Sequence, residues 1–248
     1  MALLLEASSR WTELLPILLT KNGFSSLWKQ FVALELKALP EERLIEAVVV
    51  GYHPGTQVAN AAVVGVRRFN NLVLMRVFSD TDTAAILLRN RAVTINLTDD
   101  PFVLAAAALR GWSKGLEEPE LPPEFFCPAK AVAAPCLRKA CAVVEARVLW
   151  TDAHTYRDRW GTTSVIHAWL EMLSSRVSSV VGVQRGLGFF VEALYALSKA
   201  KVARYHQQHE EASRLVGRAR GLIRRALQLD ARISLALPIV FEFLEELL

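Results

Sequence analysis

Cysteine is scarce in this chain of 248 residues: Cys127, Cys136 and Cys141 are the only three. An odd number without a Cys-x-x-Cys pair argues against both a disulfide framework and a zinc site. The expectation is reduced, mostly buried thiols in a cytoplasmic protein. Long apolar runs are missing as well. The opening stretch MALLLEASSRWTELLPILLTKNG is interrupted by Glu6, Arg10 and Glu13. It has no basic leader and falls short of the roughly 18 apolar residues that cross a bilayer. It reads as neither a signal peptide nor a transmembrane helix. Charge of one sign is also in short supply, since the net value is +4. That permits an anionic ligand without demanding nucleic acid.

Catalytic signatures are absent too. No nucleophile stands beside a base, so no catalytic residue is assigned. Gly182, Gly186 and Gly188 lack the strand–turn–helix setting and the later acidic ribose ligand of a dinucleotide site. His206, His209 and Glu210 share helical spacing, but no third ligand follows at a usual distance, so no metal is assigned. His53 and His154 fall in expected turns and His167 on a strand, none with a partner visible in sequence. Arg214, Arg218, Arg220, Arg224 and Arg225 line one side of a helix. Without interleaved aromatics they read as a solvated face, and no nucleic acid is expected.

What is present is ordinary folded composition, 52% apolar and 22% charged, enough to bury a core. Residues 1–39 carry helical spacing, with a kink expected at Pro16 and a break at Asn22-Gly23. They form either a hairpin packed on the main domain or a partner-binding or membrane-surface element. From Arg43 the period changes to that of strands. Leu44 to Tyr52, Val58 to Arg67 and Leu72 to Phe78 are joined by short turns at His53-Pro54-Gly55 and Phe69-Asn70-Asn71. Such short turns require an antiparallel meander.

A short helix follows Phe78, with Ser79 or Asp80 as its expected N-cap and Asp82 in its first turn. Ala92 to Leu97 is a fourth strand. Thr98, Asp99 and Asp100 then cap a helix from Pro101 to about Arg110, apolar enough to be buried on nearly every side. Glu117 to Ala134 reads as a surface connection. Leu137 to Trp150 reads as a long strand, Asp152 to Gly161 as a polar turn, and Thr163 to Met172 as an alternating strand. In that last strand Ile166, Ala168 and Leu170 face one way, and Val165, His167 and Trp169 the other. The strand total suits a small closed barrel. Arg185 to Val202, His209 to Leu229 and Ile233 to Leu248, interrupted near Pro238, suggest an antiparallel helical bundle.

Several segments, taken in order, resemble the split-barrel flavoprotein family known as domain of unknown function 447. Asn60-Ala61-Ala62-Val63-Val64-Gly65-Val66 resembles its N-x-A-P-M-G-V stretch, with valine for proline at Val63. Asn96-Leu97-Thr98-Asp99-Asp100 resembles its H-V-T-D-D. Ala134-Pro135-Cys136-Leu137-Arg138-Lys139-Ala140 resembles its A-P-x-L-K-D-A, and Arg185 through Ala193 resembles a helix beginning F-N-R-A and continuing V-I-E-A. The resemblance spans roughly residues 43–200.

It implies an α+β fold with an antiparallel split β-barrel of the FMN-binding type (residues 41–181) and a C-terminal helical bundle (182–248), to which the helical spacing of the unmatched N-terminus adds a helical extension (1–40). It further implies a homodimer holding FMN near the subunit interface, with no established reaction. The expectation is a redox-related flavoprotein, a candidate FMN-dependent oxidoreductase of unknown small-molecule substrate, with a cofactor site drawing on Asn60, Arg76, Ser79, Thr81, Thr83, Asn96 and Arg185. At the phosphate-binding turn, Ala84 and Ala85 replace the family's Tyr and Arg, and Asp80 and Asp82 are added. A helix N-terminus suits a phosphate, whereas each carboxylate would repel a dianion by roughly 1–4 kcal/mol at a few ångströms. The alternative is a barrel without cofactor, kept as an assembly module that uses its N-terminal helices.

Overall fold

Six strands close into a barrel in which the first three run as a meander and the chain returns through a long hairpin. In the computed structural model, which describes residues 39, 41–112, 118–158, 161–179 and 184–247, these are β1 (Leu44–Tyr52), β2 (Ala59–Phe69), β3 (Leu72–Phe78), β4 (Ala92–Leu97), β7 (Ala142–Asp158) and β8 (Gly161–Val177). Their order around the barrel is β1-β2-β3-β8-β7-β4, every neighbouring pair antiparallel. The helices expected in residues 1–40 lie outside the described residues except for Leu39.

Side-chain alternation decides which residues fill the barrel. Val49, Val66, Met75, Ile95, Ile166 and Leu170 are fully or nearly fully buried and occupy same-face positions in the strand registers. β1 is buried on both sides, because Val48 and Val50 belong to a second core shared with the helices. That double burial explains its unbroken apolar run.

A short helix, α1 (Asp82–Arg89), follows β3 and contacts β1, β2, β3 and β4. Helix α2 (Pro101–Leu109) buries seven of its nine residues. Asp100 is its N-cap, accepting from the Phe102 and Val103 N–H groups, and Pro101 sits where its missing N–H costs nothing. Around α2 pack β2, helix α3 (Arg185–Tyr205), helix α5 (Leu237–Leu247) and the 3-10 turn Ala231–Ala236. Helix α4 (His209–Leu229) lies along α3.

Four expectations are corrected. Asp152 to Asp158 is not a turn but the outer half of β7, paired residue by residue with β8 out to Asp158↔Gly161. Its polarity reflects a hairpin arm exposed on both faces rather than a chain reversal. The connection after α2 contains two short paired strands, β5 (Phe126–Pro128) and β6 (Pro135–Leu137). The N-cap of α1 is Thr81 rather than Ser79 or Asp80, because the Ser79 N–H still bonds Ser164 O at 3.0 Å and prolongs the strand ladder. His206 and His209 do not share a helix: α3 ends at Tyr205 and α4 begins at His209, with Gln207 at φ 58° between them.

Candidate functional site

The turn from β3 into α1 is built by hydroxyl capping. Thr81 takes extended backbone angles, and its Oγ1 accepts from Ala84 N–H at 3.2 Å while donating to Phe78 O at 2.8 Å. The cap satisfies one of the orphan donors of a helix start. It leaves the Asp82 and Thr83 N–H groups at the positive end of the helix dipole. Among the described residues neither Asp80 nor Asp82 accepts an N–H of this first turn. The Asp82 carboxylate instead faces His53 Nε2 at 3.8 Å. His53 is held by the β1–β2 turn, its Nδ1 accepting from Gly55 N–H at 3.3 Å.

Two cationic residues lie along the end of β3 that leads into the turn. Arg76 is exposed on β3, two residues before Phe78 and directly across from His167. Lys199 of α3 places its ammonium 5.8 Å from the Phe78 ring and 5.5 Å from that of Tyr195. These are cation–π distances. On the same outer face, His167 stacks 4.3 Å from His154 and meets the Tyr156 hydroxyl at 3.1 Å. Burial, then the neighbouring His154 and Arg76, hold the His167 imidazole below its ordinary range.

The remaining expected site residues lie elsewhere. Asn60 is buried near the start of β2, its Nδ2 donating to Glu120 Oε1 at 2.6 Å, while Glu120 Oε2 accepts from Ala61 N–H at 2.7 Å. Asn60 Oδ1 is buried and has no hydrogen-bond partner among the described residues. Asn96 is enclosed in the barrel wall, donating to Val48 O and Thr94 Oγ1 and accepting from Leu137 N–H. Its hydrogen-bonding capacity is used in joining β1, β4 and β6. Arg185 begins α3 and lies 5.9 Å over the Phe189 ring. From Arg185 to Lys199 the helix advances about 21 Å at 1.5 Å per residue, so the two mark opposite ends of α3. Ser79, Thr81 and Thr83 thus belong to the turn itself and Arg76 to the strand leading into it, whereas Asn60, Asn96 and Arg185 belong to β2, β4 and the start of α3. Thr83 is buried, and Ser79 is exposed. Sequence reasoning missed Lys199 and His53 as members of this turn, and Glu120 as the partner of Asn60. Only the His53-Pro54-Gly55 turn left a local signal.

A closed antiparallel barrel with a capped helix between its third and fourth strands defines a split-barrel protein. The chain belongs to the DUF447 family: residues 45–170, just over half of it, match the protein of unknown function (DUF447) N-terminal domain. Its fold is similar to that of the FMN-bound protein MM1853 from Methanosarcina mazei, with 18% identity and a TM-score of 0.50 over 75% of this chain and 96% of that one. Flavoredoxin of Desulfovibrio vulgaris (Miyazaki F) is similar at 16% identity and a TM-score of 0.43, over 54% and 70%. Nitrilotriacetate monooxygenase component B from Bacillus cereus is similar at 14% identity and 0.42, over 54% and 70%. No curated protein matches the sequence. Among the described residues no helix is long and apolar enough to cross a membrane.

Proposed function

We propose that the chain is an FMN-binding flavoprotein of redox type, with the flavin phosphate held at the first turn of α1. The observation that carries this reading is the pair of N–H groups at Asp82 and Thr83, from which no carboxylate among the described residues accepts. It stands in a fold shared with an FMN-bound relative. Backbone donors at a helix start suit a phosphate. Ser79 adds an exposed hydroxyl, and Thr81 shapes the turn through its cap. Arg76 and Lys199 offset the repulsion from Asp80 and Asp82. The buried Asn60 Oδ1, which has no hydrogen-bond partner among the described residues, is an acceptor suited to a donor on a ligand ring. When bound, FMN supplies the hydride or electron chemistry, and the protein supplies position and electrostatics.

The test is optical. Purified protein, or protein mixed with FMN and desalted, should be yellow and should release free flavin on denaturation. Protein that stays colourless after both treatments overturns the proposal. The second reading, a barrel kept as an assembly module, is favoured by the two aspartates at the turn. It predicts colourless protein and loss of a binding partner when residues 1–39 are deleted.

We assign the homodimer contact to the outer face of β3, β8 and β7. There Trp150 and Trp169 stack at 5.2 Å, Phe69 of the adjoining β2 lies 5.7 Å from Trp169, and Trp150 and Tyr156 are partly exposed, at 42% and 45%. Aromatic surface of this kind is typical of association sites. Three free thiols fit a reducing cytoplasm. The substrate we assign only as a small molecule.

A further inference from the structure

The β5–β6 ribbon sets two of the three cysteines directly opposite each other. Cys127 on β5 pairs in register with Cys136 on β6. Two residues to either side, Arg138 N–H bonds Phe125 O at 2.8 Å and Ala129 N–H bonds Ala134 O at 3.2 Å. By the alternation of antiparallel ladders, Cys127 and Cys136 fall at a hydrogen-bonded position, with Cα atoms about 5.5 Å apart. That Cα spacing lies within the range disulfides span, and closing the bridge at a hydrogen-bonded position draws the two Cβ atoms together from the wider end of the cross-strand range. Both residues carry free thiols.

The surroundings hold the two sulfurs in place. Glu145, a buried carboxylate, accepts from Lys130 N–H at 2.9 Å and from Ala131 N–H, fixing the loop between the strands. Thr94 donates to Pro135 O at 2.7 Å, and Asn96 accepts from Leu137 N–H at 2.9 Å, so β6 is tied to the barrel on both sides of Cys136. The guanidinium of Arg176 reaches both sulfurs, at 3.6 Å for Cys127 and 3.5 Å for Cys136. A cation donating to two facing sulfurs is the setting in which a thiolate is stabilised. The two thiols differ in access: Cys127 is half-buried, whereas Cys136 is fully buried and directs its S–H toward Pro128 O. Burial and the adjacent Cys127 push the Cys136 thiol up to about 11, which suits the resolving partner rather than the attacking one.

We propose that Cys127 and Cys136 form a reactive dithiol that exchanges with small organic disulfides, Cys127 attacking and Cys136 resolving, with Arg176 stabilising the attacking sulfur. The Cys127 thiol releases its proton to water, and its thiolate attacks one sulfur of the small disulfide. A Cys127–S–S–R bond forms, the R–S–S–R bond breaks, and one thiolate departs and is protonated. Cys136 then attacks Cys127 Sγ, its proton passing to the second departing thiol. Two electrons move from the cysteine pair to the small disulfide, and the products are one protein disulfide and two thiols. The cycle involves no flavin.

The experiment uses the full chain, reduced and desalted, then treated with bis(2-hydroxyethyl) disulfide and denatured for thiol counting. The three thiols should fall to one, and non-reducing peptide mapping should join the segments holding Cys127 and Cys136 of the same chain. Cys136→Ser should accumulate a mercaptoethanol adduct on Cys127, and Cys127→Ser should react far more slowly. Arg176→Ala should slow the reaction by about tenfold, with Arg176→Lys restoring part of the rate. Three titratable thiols after treatment, a bridge to Cys141, a bridge between two chains, or undiminished reaction in Cys127→Ser would each overturn the proposal.

Discussion

Glu120 is a carboxylate at 1% exposure, and among the described residues two donors converge on it. Asn60 Nδ2 and Ala61 N–H bond its two oxygens at 2.6 and 2.7 Å. Removing the acceptor strands two buried donors, each at a cost of about 1–3 kcal/mol. Glu120→Ala is therefore expected to lower the unfolding free energy by about 2–5 kcal/mol, measured by denaturant titration. A loss below about 1 kcal/mol would show that the donors find water instead. The aspartates of the α1 turn, exposed Asp80 and half-buried Asp82, would act in the opposite sense on the phosphate proposed there. Asp80→Asn or Asp82→Asn should tighten FMN binding by up to about tenfold, equivalent to about 1.4 kcal/mol. Lys199→Ala should weaken it by a similar factor. Titration of flavin fluorescence reads both directions, and unchanged affinity in all three variants would place the phosphate elsewhere.

At the scale of elements, α1 is positioned by its contact with β1. A Cβ added at Gly51 would meet Ile86 Cγ2 at 2.6 Å and the backbone oxygen of Ala92 at 3.4 Å. Ile86 is itself fully buried, so the helix must move to make room. Overpacking of this kind costs typically about 1–3 kcal/mol. Gly51→Ala should lower the thermal midpoint and also weaken flavin binding, because the displaced helix carries the turn with it. A loss of stability with unchanged flavin affinity would separate the helix from the site. The elements most legible in sequence were those with one decisive periodicity. The boundaries expected for α4 coincide with those observed, since Ala212, Leu215, Val216, Ala219, Ile223 and Ala226 form a single buried stripe. The outer arm of β7 was not legible. Period-2 patterning needs one wet and one dry face, and from Asp152 to Arg157 both faces are wet. Nor could Lys199 be placed at the α1 turn, because its distance from Phe78 depends on how α3 crosses the barrel. The facing of Cys127 and Cys136 was hidden for a related reason: it depends on a two-strand register inside a stretch whose prolines read as irregular chain.

Across the whole molecule, the barrel and the C-terminal helices share one core. Val48, Val50 and Ala61 of the barrel belong to the same buried cluster as α2, Phe190 and Leu197 of α3, and Phe243 of α5. At its edge, Arg232 joins segments far apart in the chain. Its guanidinium bonds Asp99, just after β4, at 3.1 Å and Asp230, at the end of α4, at 2.8 Å, and also reaches Gln184 ahead of α3. The Gln184 amide and the Arg232 guanidinium hold the Asp99 carboxyl below its usual range, and Arg232 does the same for Asp230. A carboxylate with a depressed folded pKa contributes stability that is present above its unfolded pKa and lost as pH falls through the folded value. The latch should therefore operate at neutral pH and fade below about pH 4. Arg232 is half exposed, so solvent screening limits its worth to about 1 kcal/mol. Arg232→Ala is expected to lower the thermal midpoint by a few degrees at pH 7, with the gap from the parent chain closing as the pH drops below 4. A gap that persists unchanged in acid would mean that Arg232 acts through packing of its aliphatic stem, and the ionic latch would be refuted.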